Sequence, residues 1–202
     1  EAFKALEVMK KSNLPTVLTI SPMGENKMRD GNSVVDTCKE LEQRGADVVG
    51  LNCFRGPATM MPFLKEIRKA VKCHVGALPI PYRTSEDYPT FFNLPDRSNC
   101  ECPSPHGRTF PTALDPHFCN RYEIGKFGKE AYNLGINYLG VCCGANSMLI
   151  RELAESIGLK DTFLINFFSN ILSSVLKYKS WLQGIKIALA LIDFKAFLKS
   201  LL

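Results

Sequence analysis

The sequence predicts an α/β fold made of four βα units, half the complement of an eight-stranded (βα)8 barrel, with a hydrophobic tail behind them. Three observations predict it. Short β-branched apolar runs alternate with amphipathic stretches up to about residue 158, the pattern of a parallel sheet with right-handed crossovers. Strand starts near residues 15, 46 and 73 fall at barrel-like spacing, and a fourth follows near 136. Finally, two of the runs match by offset: Gly45, Gly50 and Cys53 are spaced as Gly135, Gly140 and Cys143, with Asn52 where Cys142 stands.

Each element has its own signal. Residues 2–12 carry a helical pattern, and 15–20 (Pro-Thr-Val-Leu-Thr-Ile) form a β-branched strand run. Residues 33–44 read as an amphipathic helix, with Asn32 placed to cap it and Gly45 to end it. The next strand is 46–53, and the next helix 58–71, with Pro57 in its first turn. A weaker strand occupies 73–78. A loop of about 40 residues rich in Pro, Ser, Asn and Asp follows; loops that long are usually functional or disordered. Residues 121–134 form a helix ahead of Gly135, 136–142 the fourth strand, and 147–157 a last helix closed by Gly158.

Bulk properties bound the reading. The 202 residues, 46% hydrophobic, suffice for one sizeable core and at most two domains. The chain opens at Glu1, without methionine and already in a helical pattern, which is the expectation for a fragment. No charged region precedes an apolar stretch, so no secretory signal points to an oxidising compartment. Eight cysteines are too few here for a disulfide scaffold and more than packing explains, which favours metal or thiol chemistry in a reducing, cytoplasmic setting.

Of the net charge of +5, residues 1–161 contribute +1 (20 Lys/Arg, 19 Asp/Glu) and residues 162–202 contribute +4 (five Lys, one Asp). The body thus carries no nucleic-acid footprint. The tail, 159–202, is apolar and basic; its longest uncharged run, 162–176, is short of the ~18–20 residues that span a bilayer. It reads either as a helix docking on a membrane or protein partner, or as a segment foreign to the domain, from an altered splice or reading frame.

The chemistry concentrates on Cys53, Cys142 and Cys143. If their strands lie parallel in one sheet, Cys53 and Cys142 are strand-end residues at the edge where α/β proteins place their sites. Gly144 can take the dihedrals that turn neighbouring cysteines toward one point. Three thiolates suit a catalytic zinc with one open position. Bound to a fourth, incoming thiol they make an electron-rich site that favours attack on an electrophilic methyl group over hydrolysis. Two other readings stand beside this: a buried structural cysteine, and a redox pair formed by Cys142 and Cys143.

Residues 45–53 (Gly-Ala-Asp-Val-Val-Gly-Leu-Asn-Cys) and 137–144 (Asn-Tyr-Leu-Gly-Val-Cys-Cys-Gly) resemble the two zinc motifs of the homocysteine S-methyltransferase family, nearest to its betaine-dependent branch. Residues 129–135 (Lys-Glu-Ala-Tyr-Asn-Leu-Gly) and 110–116 (Phe-Pro-Thr-Ala-Leu-Asp-Pro) add to the likeness, which covers about 1–158. It implies a (βα)8 barrel in which Cys53, Cys142 and Cys143 bind zinc (Zn2+) and homocysteine accepts a methyl group, from betaine in the nearest relatives, to give methionine. It also implies a substrate-orienting or loop-bracing role for Asn52. The resemblance implies that the four βα units read here are the C-terminal half of such a barrel, and the 21–31 loop matches the family only loosely. The alternative function is a non-catalytic zinc- or thiol-binding half-domain with a docking tail.

Four strands alone leave two open edges and an uncovered apolar face, so self-association is expected. Elsewhere, Cys100, Cys102, His106 and Cys119 read as solvated loop residues, with a second metal site as the alternative. Cys38 reads as core, and Cys73 and His74 as structural residues at the opposite end of the sheet. Tyr82, Phe91 and Phe92 fall on the thiol side, either packing the long loop or lining a pocket for a cationic donor.

Overall fold

The computed structural model describes residues 1–23, 27–28, 30–96 and 109–159. The chain divides into two units, Glu1–Gly158 and Leu159–Leu202. The expected tail helix, and Cys100, Cys102 and His106, lie outside the described residues.

In chain order the elements are α1 (Ala2–Lys10), β1 (Val17–Ile20), α2 (Val34–Gln43), β2 (Val48–Asn52), α3 (Pro57–Ala70), β3 (His74–Leu78), short 3-10 turns at Phe91–Asn93 and Asp115–His117, α4 (Arg121–Asn133), β4 (Tyr138–Leu139) and α5 (Ser147–Ser156). The strands form one parallel sheet in the order β1-β2-β3-β4, with Val17 opposite Val48, Val48 opposite His74 and Gly76 opposite Tyr138. Strand neighbours in space are thus neighbours in sequence, which requires every crossover to turn the same way. Among the described residues no helix is long and apolar enough to cross a membrane.

Alternation along the strands sorts the residues between two faces. Leu18, Ile20, Val49, Leu51, Val75 and Ala77 are buried in one cluster with Leu6, Cys38, Leu41, Leu64 and Ile67 of the helices. The other face carries Thr19, Val48 and Tyr138, the side chains that a Cβ at Gly76 would meet. Thr19 and Tyr138 there are only half-buried. Gly50 is fixed by close approach, since a Cβ would run into the Gly76 backbone.

Helix boundaries follow local chemistry. Ser33, not Asn32, caps α2: its backbone is extended, and its hydroxyl accepts from the Asp36 N–H at 2.9 Å. A capping box opens α4, with Asn120 and Glu123 each satisfying the other's backbone N–H. Gly45, Gly135 and Gly158 follow α2, α4 and α5 at φ of +89°, +78° and +88°, the left-handed turn that ends a helix.

Two predicted strands are shorter than expected. Residues 46–53 shrink to β2 because Cys53 takes φ +58°, which no strand residue can hold. Residues 136–142 shrink to the two residues of β4. The chain still runs beside β3, with Gly140 donating to the Ala77 carbonyl (3.1 Å) and Cys142 to that of Pro79 (2.8 Å). Pro79 has no N–H for the return bond to Gly140, so the ladder ends there. Cys53 and Cys142 therefore lie just past their strands rather than as their last residues.

Candidate metal centre

The site sits where β2 and β4 run out at the C-terminal rim of the sheet. After Asn52 the chain takes two consecutive left-handed residues, Cys53 (φ +58°) and Phe54 (φ +56°). Neither is glycine, so each costs on the order of 1 kcal/mol or more. Neighbouring bonds hold the bend in place. Cys53 donates to the Leu78 carbonyl (3.0 Å), Arg55 N–H to the Cys53 carbonyl (2.6 Å), and Phe91 N–H to the Phe54 carbonyl (3.0 Å). The second arm is a tight turn closed by Ala145 N–H on the Cys142 carbonyl (3.1 Å), with Gly144 at φ +89° in its third position. That is type II geometry, which calls for glycine there.

These bends converge the sulfurs. Cys53 Sγ lies 3.6 Å from Cys143 Sγ, and Cys142 Sγ lies 3.7 Å from Cys143 Sγ. All three fall within 4.8 Å of one another, and among the described residues they are the one such group of potential metal ligands. Tetrahedral zinc with Zn–S near 2.3 Å sets sulfurs about 3.8 Å apart, so the donor set and its spacing fit that ion. Cys143 is exposed while Cys53 and Cys142 are half-buried, leaving one side of the trio open to a small molecule. Both arms also lead directly into helix N-termini, α3 at Pro57 and α5 at Ser147, where the helix dipole favours negative charge.

Burial pushes the Cys53 thiol up to about 12, with the neighbouring thiols adding to it and the Phe54 N–H opposing it. Asn52 accepts a hydrogen bond from Ser21 Oγ through Oδ1 at 3.1 Å, which ties β2 to the loop after β1. Its two Nδ2 hydrogens are further donors beside the site.

Next to the thiols, Ile80, Phe91 and Leu94 form a buried cluster against which Cys53, Cys142, Tyr82 and Phe92 pack. The aromatics thus lie on the thiol side as expected, with Phe91 and Phe92 ring centroids 4.3 Å apart. Burial, then the charges of Asp115 and Cys143, raises the Tyr82 phenol above its ordinary value. Cys38 is fully buried in the main core, and His74 opens β3 at the far end, both as expected.

Cys119 departs from expectation. It is only 2% exposed, not a solvated loop thiol, and burial pushes it up to about 12. It precedes the α4 cap and packs with Ile124 in the first turn, the arrangement of a hydrophobic staple. A groove of about 400 Å³ between α3 and α4 is lined by Cys119, Phe127 and Arg83 among others, but by none of the three clustered cysteines.

The family model described as homocysteine S-methyltransferase matches residues 1–157. Betaine–homocysteine S-methyltransferase 1 of Xenopus tropicalis is 34% identical over 173 residues, covering 81% of this chain and 39% of that protein. The Bos taurus protein of the same name is 31% identical, covering 81% and 38%. The S-methylmethionine–homocysteine S-methyltransferase of Mus musculus is 30% identical, covering 81% and 43%. The chain spans about two-fifths of the length of these relatives.

Proposed function

Because this chain belongs to the homocysteine S-methyltransferase family, we propose that its thiol trio is a zinc site for methyl transfer to the sulfur of homocysteine, giving methionine. The observation that carries the proposal is the meeting of Cys53, Cys142 and Cys143 sulfurs within 4.8 Å. Those three residues would hold the ion. Zinc there supplies a Lewis-acidic open position that keeps an incoming thiol deprotonated yet nucleophilic at neutral pH.

The chain's own residues do the rest. The strained Cys53–Phe54 bend and the Cys142–Ala145 turn aim their sulfurs at one point. The exposed Cys143 side admits the substrate, and Asn52, anchored by Ser21, orients it through its amide N–H groups. As the homocysteine sulfur forms its bond to the methyl carbon, the carbon–nitrogen bond of betaine breaks and its electron pair stays on nitrogen. The thiol proton has already left to solvent. The donor assignment rests on the betaine-dependent relatives; an S-methylmethionine donor, as in the mouse relative's name, is the variant to test beside it.

Residues 1–158 are proposed as four βα units of an eight-unit barrel. Sequential strand order and an unbroken succession of helix contacts from α1 to α5 support that reading. Open edges at β1 and β4 then call for a second half-barrel, from further sequence or from a second copy, while the basic apolar tail contacts a membrane or protein. A cytoplasmic location belongs to the same proposal, because thiolate ligands persist where thiols stay reduced.

The test is a methyl-transfer assay with labelled betaine or S-methylmethionine and homocysteine. Labelled methionine supports the proposal. Stoichiometric zinc without turnover supports instead a non-catalytic zinc-binding half-domain. Absence of zinc together with a Cys142–Cys143 disulfide supports a redox pair.

A further inference from the structure

Tyr82 has a place that the three thiols do not explain. Its ring lies parallel to that of Phe91, with centroids 6.2 Å apart and planes 4° apart. It meets Phe118 edge-on at 5.7 Å, and an isolated antiparallel bridge to Phe118 fixes its backbone. Held on both sides, the ring reaches Gly144: a Cβ there would collide with the Tyr82 hydroxyl and stand 3.0–3.1 Å from two ring carbons. Gly144 directly follows Cys143 and is the left-handed residue of the turn that carries both vicinal cysteines. The phenol is thus seated against the backbone that aims them.

We propose that Tyr82 is a positioning residue for the thiol trio, seating through Gly144 the turn that carries Cys142 and Cys143. The inference rests on the metal reading above. Groups just outside a ligand shell fix the orientation of the ligands within it. A ring held by two aromatic contacts gives that turn a fixed seat, with the hydroxyl as the atom nearest Gly144.

The test uses the full chain and its Tyr82→Phe variant, which keeps the ring and removes the hydroxyl. Zinc affinity is measured by competition with a chromophoric chelator, and cobalt(II) replaces zinc to read the thiolate-to-metal charge-transfer band. The expected result is an affinity loss of about tenfold or more, as for other partners of ligand groups, with a shifted cobalt band. Melting of the metal-free variant should match that of the parent, because the ring keeps its contacts with Phe91 and Phe118. Gly144→Ala should also weaken zinc, and by a smaller factor in the Tyr82→Phe background, where the collision is partly relieved. Equal zinc affinity and an identical cobalt spectrum overturn the inference and leave the metal site standing. A parent chain that binds no zinc overturns both.

Discussion

Leu78 and Pro79, consecutive residues at the end of β3, each hold one arm of the metal centre: the Leu78 carbonyl accepts from Cys53 N–H at 3.0 Å and the Pro79 carbonyl from Cys142 N–H at 2.8 Å. Through them, sulfurs 90 residues apart in sequence come to 3.6 Å. The centre is therefore built on a strand that contributes no ligand.

Removing one sulfur should abolish tight binding. Cys143→Ser is expected to lower zinc affinity by more than about 100-fold, since even the partners of ligands cost about 10–100-fold. Cys38→Ala, deep in the core, should leave zinc stoichiometry intact and cost about 1 kcal/mol of stability. Equilibrium dialysis with metal analysis checks the first, and urea unfolding the second.

Zinc should also stabilise the fold, because its ligands come from the ends of separate strands and meet only when the sheet is formed. At free zinc 100 times its dissociation constant the gain is about 2.7 kcal/mol. The melting temperature should climb with zinc, fall back with a chelator, and stay flat in Cys53→Ser. Calorimetric scans at several zinc concentrations measure it.

The parts of this architecture visible in the sequence are those set by local chemistry. The β-branched runs, Gly45 and Gly135 behind their helices, and the matched Gly-x-x-Cys offsets place strands, turns and sulfurs close to where they lie. What escaped the pattern depends on partners across the sheet. Nothing local to Cys53 announces two left-handed residues, since neither it nor Phe54 is glycine; bonds from Phe91 and Leu78 impose the bend. Pro79 did carry a signal, a missing N–H opposite the fourth strand, but only the register shows which bond it removes. Burial of Cys119 was also legible, because it precedes the Asn120 cap and Ile124 sits where a staple would close.

Gly50 and Gly76 face each other in register yet should respond differently to substitution. A Cβ at Gly50 meets the Gly76 backbone, whereas one at Gly76 meets the tips of Tyr138, Thr19 and Val48 at 3.3–3.6 Å. Backbone cannot step aside without parting β2 from β3. Gly50→Ala should therefore cost about 3 kcal/mol or more and Gly76→Ala about 1 kcal/mol or less. Urea midpoints of the two variants give the comparison.

Acid should weaken the joint between the loop after β3 and the start of α4. Arg83 Nε and Nη2 donate to the two Glu123 carboxylate oxygens at 2.7 Å each, and the Asn120 N–H adds a third bond at 2.7 Å. Arg83 first, and then the Asn120 N–H and the Arg83 charge, outweigh partial burial and hold the Glu123 carboxyl below its ordinary value. A carboxyl depressed in the folded state contributes stability in full above its unfolded value, about 4.3. That contribution disappears as the pH falls through the folded value. Both side chains are well exposed, at 47% and 38%, so screening keeps the pair below about 1 kcal/mol. Glu123→Gln should thus lower stability modestly at pH 7 and flatten its dependence between about pH 5 and pH 3. Urea unfolding of the parent and variant across that range reads the difference, and parallel curves would show that the pair contributes nothing.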